Sequence, residues 1–125
     1  DMTDREMLEL AAKAGGYARH EYVENSARDG RVVTGHYDSL LEVCINPLTD
    51  DGDALRLAVK LMIRVSVNRA FPLGIPGSVT VEYPDRDCFY FALGEAVTNG
   101  DPYAATRRAI TRAAAEIGRQ MEEAK

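Results

Sequence analysis

Cysteine, positive charge and long apolar runs are all scarce in this chain. Its two cysteines, Cys44 and Cys88, each lie in an apolar stretch of sequence that is typical of strands. We therefore expect reduced thiols in the core of a cytoplasmic protein rather than a disulfide. No apolar run is long enough to cross a bilayer, and no signal peptide precedes the first predicted helix, so no membrane contact is expected.

The shortage of positive charge bears on nucleic acid. The chain carries 15 Lys and Arg against 20 Asp and Glu in 125 residues, a formal net charge of -5. Proteins that bind duplex DNA usually carry a net positive charge, so duplex DNA is not an expected partner of this chain. A local basic patch is still compatible with the net charge. The length suits a single domain over residues 1–125 with its own core, and no repeat or linker divides it.

The familiar signatures of catalysis are missing as well. The chain has no Gly-x-Ser-x-Gly, no His-Glu-x-x-His and no glycine-rich loop that would cradle a phosphate. Cys44 and His36 are an open alternative, because they would make a nucleophile and its base if neighbouring strands brought them together. With nothing further in support of an enzyme, we predict a protein without catalytic activity or cofactor.

Metal-binding patterns are equally weak. Four side chains offer the donor atoms of a zinc site: His20, His36, Cys44 and Cys88. No two of them are spaced as closely as zinc ligands usually are, so no metal is expected there. Asp50, Asp51 and Asp53 resemble part of a calcium loop, but apolar text follows where the other ligands should be. Helix capping is the favoured role of these aspartates.

Two segments in the first half have the spacing and the end signals of helices. Thr3 and Glu6 form a capping box before apolar residues, and glycines at 15 and 16 end a helix predicted over about residues 4–14. A second helix follows the aspartates and runs to Met62. It is apolar over a wide arc, so we expect it to lie well buried against a sheet.

A third helix, predicted over Tyr103–Ala124, is the clearest element. Asp101 suits the cap, and Pro102 suits the first helical position, where no amide donor is missed. One apolar stripe recurs along it at three- and four-residue steps: Tyr103, Thr106, Ile110, Ala113, Ile117 and Met121. Its many alanines should let a sheet or another helix approach closely.

Alternating and β-branched text predicts the strands. They are Tyr17–Glu24, Arg31–Tyr37, Leu40–Ile45, Ile63–Val67, Val79–Tyr83 and Cys88–Leu93. Residues 25–30 and 84–87 are predicted turns. The element order is therefore α-β-β-(β)-α-β-β-β-α. It predicts an α+β fold, in which a mostly antiparallel sheet of about five to six strands packs with three helices.

Three stretches taken together resemble one family. They are Met7–Ala14, the Asn46-Pro47-Leu48-Thr49-Asp50 text that leads into Ala54–Leu61, and Ala104–Ile110. In this combination the chain resembles small phage or prophage proteins of the phage ABA sandwich type, whose functions are largely unknown. The resemblance covers half of the chain and implies a phage origin and action inside a bacterial cell. It transfers no catalytic residue.

The arginines of the third helix are the main candidate for a ligand site. Arg107 and Arg108, with Arg112 one turn further on and Arg64 or Arg69 from elsewhere, would make a fork for phosphate groups. Tyr103 or Tyr90 would stack a base. The alternative is a solvated helix face on which each arginine pairs with an acidic neighbour, which is the commoner arrangement.

Residues 68–78 are a second candidate. Two prolines and two glycines argue against regular structure there, while the segment also contains exposed-looking apolar residues. A loop of this kind usually contacts something. The residues predicted to form a lid or a partner contact are Arg69, Phe71, Leu73 and Ile75.

These features leave three hypotheses. In the first, a phage-encoded binding protein counters bacterial defence by sequestering a nucleotide immune signal with the arginines. In the second, the acidic surface and the 68–78 loop bind and inhibit a host defence protein. In the third, the chain is an accessory protein of phage growth. The alanine-lined helix faces also predict a homodimer, because small side chains allow close packing.

Overall fold

The computed structural model describes residues 2–72, 74–84 and 90–124. Within them the chain forms three helices and six strands. They are α1 Asp4–Gly15, β1 Glu21–Arg28, β2 Arg31–Asp38, β3 Val43–Ile45, α2 Asp51–Leu61, β4 Arg64–Ala70, β5 Ile75–Pro84, β6 Tyr90–Ala96 and α3 Pro102–Glu123. The predicted α+β class and the predicted order of elements are confirmed.

The six strands form two antiparallel sheets rather than one. The first sheet has the order β1-β2-β3, and the second has the order β4-β5-β6. The first sheet ends at β3 because the chain turns at Asn46-Pro47 straight into α2. The Asn46 side chain fixes that turn by accepting the Leu48 amide at 2.9 Å and donating to the Thr34 carbonyl at 2.8 Å.

The helix starts follow the local signals in the sequence. The Thr3 hydroxyl accepts the Glu6 amide at 3.1 Å, and the Glu6 carboxylate accepts the Thr3 amide at 3.2 Å, so the predicted capping box is confirmed. Gly16 ends α1 in the left-handed conformation. Asp101 caps α3 by accepting the Ala104 amide at 3.0 Å.

Helix α3 lies at the centre of the fold, against α1 on one side and β5 on another. Ala109, Ala113 and Ala114 are fully buried. A β-carbon added at Gly118 would overlap the Leu10 carbonyl, so the α1 and α3 backbones approach as closely as a glycine permits. The predicted close approach through small residues is confirmed, and it occurs inside one chain.

The predicted apolar stripe of α3 is wrong at both ends. Ile110 and Ala113 are buried, but Tyr103 is 68% exposed and Met121 is 44% exposed. These two side chains lie in the first turn and the last turns of a 22-residue helix. The ends of so long a helix extend past the elements that cover its middle.

The prediction for α2 is also partly wrong. The helix packs on α3 and α1 through Ala54, Leu57 and Ala58, rather than lying deep against a sheet. Two further apolar side chains of the helix and its C-cap residue are exposed, and we call them the α2 stripe: Leu55, Val59 and Met62, exposed by 63%, 71% and 70%. The neighbouring helices α1 and α3 therefore bury only part of the wide apolar arc of α2.

Residues 68–78 are a β-hairpin and not an irregular loop. Strand β4 continues to Ala70 and β5 begins at Ile75, so only residues 71–74 connect them. Pro72 lies in the connection, and Pro76 lies beside a register shift in the ladder, where a missing amide donor costs little. The prolines are therefore compatible with strands. Leu73 lies outside the described residues.

Several strand boundaries also move. The predicted strand Tyr17–Glu24 begins only at Glu21 and runs to Arg28. A bulge between Val23 and Ser26 allows the polar residues after it to continue pairing with β2. The predicted strand Leu40–Ile45 begins only at Val43. The 85–89 part of the predicted last hairpin lies outside the described residues.

Candidate functional site

Arg107 links elements rather than facing a cavity. Its Nε donates to the Leu48 carbonyl at 2.9 Å, and its Nη1 donates to the Asp51 carboxylate at 2.7 Å. The side chain is only 19% exposed. The guanidinium thus ties the first turns of α3 to the turn before α2 and to the start of α2.

Arg108 and Arg112 share a carboxylate on another side of α3. Arg112 lies 2.5 Å from one oxygen of Glu95, and Arg108 lies 3.6 Å from the other. Arg108 also pairs with Asp4 at 3.1 Å, and Arg112 donates to the Gly94 carbonyl at 3.1 Å. The two guanidiniums hold the start of α1 and the strand β6 against α3.

The structure does not bring the four predicted residues together. A residue advances about 100° around a helix, so Arg107 faces away from Arg108 and Arg112, while Tyr103 lies on the side of Arg107. Arg119, further along α3, pairs with Glu116 and Glu123 in its own helix. The geometry thus favours the alternative interpretation, in which each arginine has an acidic neighbour.

Arg108 and Arg112 do line a concavity of about 670 Å³ between α1, β6 and α3. Its charged lining also includes Glu95 and Glu116, and Asp4 lies at its edge. Two positive side chains therefore face three negative ones. A phosphate group entering here would compete with carboxylates already in contact with both guanidiniums.

Cys44 and His36 are not a nucleophile and its base. In the β2–β3 ladder Cys44 is opposite Tyr37 and His36 is opposite Ile45, so the two side chains lie on opposite faces of the sheet. His36 packs between the rings of Tyr17 and Tyr22. Burial raises the pKa of the Cys44 thiol and lowers the pKa of His36, so each group is held in its neutral form.

The metal alternatives find no support among the described residues. No group of three or more His, Cys, Asp or Glu side chains there has the geometry to hold a metal ion, and Cys88 lies outside them. The aspartates act as the capping interpretation predicts. Asp50 caps α2 by accepting the Asp53 amide at 2.8 Å, while Asp53 accepts the Asn46 amide at 2.9 Å.

The tip of the β4–β5 hairpin exposes apolar side chains, as predicted. Phe71 is 91% exposed and Ile75 is 54% exposed, and Arg69 beside them is exposed as well. We call these three residues the hairpin tip. An aromatic ring held in water at the end of a paired hairpin is a surface suited to a protein contact.

A second apolar surface was missed by the sequence analysis. Leu40 and Leu41 lie in the turn between β2 and β3, exposed by 92% and 71%, and Val43 beside them is 44% exposed. We call these three residues the turn patch. The available signal was the Asp38-Ser39 pair, which is typical of a turn. The apolar text after it was instead interpreted as a strand.

The turn patch is held in place by its own backbone. One carboxylate oxygen of Asp38 accepts the amides of Leu40 and Leu41, at 3.0 and 3.3 Å. Asp38 itself pairs with Val43 in the ladder. The two leucines therefore stand on a fixed turn, and the adjoining surface is a concavity of about 400 Å³ that begins at Leu40 and runs toward Arg19.

Comparison of the chain with protein-family models, with curated proteins and with solved structures finds no match in any of the three. The resemblance to phage ABA sandwich proteins therefore stays a prediction. In the part of the chain that the structure describes, no helix combines the length and the apolar character needed to span a bilayer.

Proposed function

We propose that this chain is a non-enzymatic binding protein that docks on another protein through the turn patch. The observation that carries the proposal is the near-complete exposure of Leu40 and Leu41 on a fixed turn. Each leucine that moves from water into an apolar pocket contributes about 1.5–3 kcal/mol. Two adjacent leucines would together contribute about 3–6 kcal/mol to such a contact.

The fixed turn adds to affinity in a second way. Binding by a mobile loop loses part of its interaction energy to ordering of the loop, whereas a turn already in its bound shape avoids that cost. The Asp38 carboxylate supplies this order by holding both leucine amides. The side chains then need only rotamer changes to enter a pocket.

The resemblance to phage proteins suggests what the partner is. A phage protein that acts inside a bacterial cell meets host proteins, and inhibition of a host defence protein is the role that fits a small binding protein without catalytic groups. The partner surface would need an apolar cleft that accepts the leucine pair.

The test compares two variants that each remove two exposed apolar side chains. Leu40→Ser with Leu41→Ser removes the turn patch, and Leu55→Ser with Val59→Ser on the α2 stripe is the matched control. Wild-type chain, produced in hosts whose defence restricts a phage, should restore plating of that phage. The turn variant should lose this effect, and the control should keep it.

Binding is then measured with the purified host protein. We expect the turn variant to bind it about 100-fold more weakly, since two lost leucines remove about 3 kcal/mol. Equal plating and equal affinity for wild type and turn variant, at equal thermal stability, would remove the turn patch as the docking surface.

Sequestration of a nucleotide is the second candidate: Arg108 and Arg112 line one concavity, where a phosphate group would have to displace Asp4 and Glu95 from them. Calorimetric titration with cyclic nucleotides and with cyclic ADP-ribose isomers tests it. Heats that vanish in Arg108→Ala with Arg112→Ala would support the candidate. Flat heats for the wild type across that panel would exclude those ligands.

A further inference from the structure

Four strands of the two sheets have an edge without a described neighbour, and three of them are protected. The edge of β1 is interrupted by its bulge, and β3 has only three residues. On β6, the charged side chain of Glu95 faces α3 and pairs with Arg112, which also donates to the Gly94 carbonyl. Bulges, short length and inward charges are the devices by which edge strands avoid pairing.

Strand β4 lacks these devices over residues 64–68. Its register shift comes only at Asn68 and Arg69, and no charged side chain lies on its helix-facing side before that point. Val65 and Val67 are opposite Val81 and Val79, which are fully buried. Yet the two β4 valines are 39% and 54% exposed, because α3 lies mainly over β5 and β6.

We propose that β4 pairs antiparallel with the same strand of a second copy of this chain, with Ser66 on the two-fold axis. In this register Val65 is opposite the partner subunit's Val67, so β-branched pairs meet on the apolar face. Arg64 is opposite the partner subunit's Asn68, so no two arginines face each other. The text Val-Ser-Val is symmetric about Ser66, as an isologous contact requires.

The neighbouring registers are worse for definite reasons. A register with Val67 on the axis would place the partner subunit's charged Arg69 opposite Val65 inside β4, whereas the Ser66 register places it opposite Ile63, before β4 begins. A register with Val65 on the axis would push the pairing past the start of β4 and leave Val67 opposite Ile63, which is already buried in its own chain. An odd shift would turn the valines of one copy to the opposite face.

The same register brings Phe71 of each copy close to an apolar groove on the other copy. Continued past the end of β4, it sets the partner subunit's Ala70 beside Met62, where α2 ends. An apolar groove of about 330 Å³ lies at that end, lined by Leu61, Met62, Ile117 and Met121. Phe71 directly follows Ala70, the last residue of β4, so the partner subunit's Phe71 comes next to this groove.

The groove and the ring are suited to each other. Phe71 is 91% exposed in one chain, and Met62 and Met121 at the groove are 70% and 44% exposed. Methionine side chains adapt to an aromatic ring and make favourable sulfur contacts with it. Each copy supplies one ring and one groove, so the contact occurs twice and closes on itself.

This dimer differs from the one predicted from alanines. Those alanines are buried between α3, α1 and the second sheet, so they are not available to a partner. The dimer goes beyond the proposed function, because it occupies the hairpin tip and leaves the turn patch on the other sheet free.

The test begins with the mass of the wild-type protein in solution. Light scattering after size-exclusion chromatography should give twice the chain mass of 13.7 kDa. Phe71→Ser should weaken the dimer about tenfold or more, and it cannot disturb the protomer core because the ring is exposed. Val67→Lys, which puts a charge on the seam, should give a monomer.

A cysteine at the axis tests the register itself. Residues directly opposite in an antiparallel pair lie within reach of a disulfide, so Ser66→Cys should form a covalent dimer under mild oxidation. Ser78→Cys on the middle strand is the control and should not do so faster than the wild type. A monomeric wild type, or a dimer that persists in both Phe71→Ser and Val67→Lys, would overturn the proposal.

Discussion

At the scale of single residues, His36 is a titratable side chain that the fold holds away from water. It is 3% exposed, packs edge-on against Tyr17 and Tyr22, and its Nδ1 has no hydrogen-bond partner among the described residues. Burial lowers its pKa, Glu9 opposes that shift, and His20 adds to it. The folded chain therefore holds the imidazole neutral.

The neutral imidazole predicts acid sensitivity. An unfolded chain binds the proton near pH 6.5 and the folded chain only below it, so the free energy of unfolding should fall as the pH drops below 6.5. One proton gives a slope of at most about 1.4 kcal/mol per pH unit. Urea unfolding of wild type and His36→Phe between pH 7 and pH 5 measures it. The variant should be flatter, and His20→Gln should keep most of the slope, because burial is the main cause of the lowered pKa of His36. Parallel curves for wild type and His36→Phe would contradict this.

At the scale of elements, the contact between α1 and α3 sets the geometry of the helices. Gly118 is buried, and a β-carbon there would meet the Leu10 carbonyl, which is backbone and cannot move aside. On β6, a β-carbon added at Gly94 would meet nothing. The two glycines thus make a matched pair for mutation.

We expect Gly118→Ala to destabilise the chain by about 1–3 kcal/mol, because the two helices would have to separate. Gly94→Ala should change the free energy of unfolding by less than about 0.5 kcal/mol. Thermal and urea unfolding of both variants measure this difference. A stable Gly118→Ala protein would show that the helices have room that the structure does not give them.

Elements also show how far the sequence predicts this fold. Caps at Thr3 and Asp101 act within a few residues, so the starts of α1 and α3 were predicted correctly, and α2 begins among the aspartates that were assigned to capping. Which side of a helix or strand is buried depends on distant parts of the chain. The exposed α2 stripe and the extended β4–β5 hairpin were therefore not predicted. The carboxylate partners of the arginines were not predicted for the same reason, since Arg112 and its partner Glu95 lie on different elements.

At the scale of the whole molecule, the turn patch and the hairpin tip lie on different sheets. The turn patch belongs to the first sheet, and the hairpin tip belongs to the second. If the second sheet joins two copies, each dimer presents two turn patches. Dimer formation and partner binding then become separable properties.

The separation predicts a stoichiometry. Native mass spectrometry should find two partner molecules on a wild-type dimer and one on the monomeric Val67→Lys protein. The affinity per turn patch should be unchanged, because the substitution lies on the other sheet. Loss of partner binding in a folded Val67→Lys monomer would show that the docking surface spans both copies.

The α1–α3 contact also has an evolutionary consequence. A position where one methyl group costs stability leaves little room for drift, so chains descended from a common ancestor should keep glycine at 118. A solvated turn such as residues 39–42 has no such restriction. If the turn patch docks on a host protein as proposed, that turn would diversify together with the host protein, while the helices beneath it stay nearly constant.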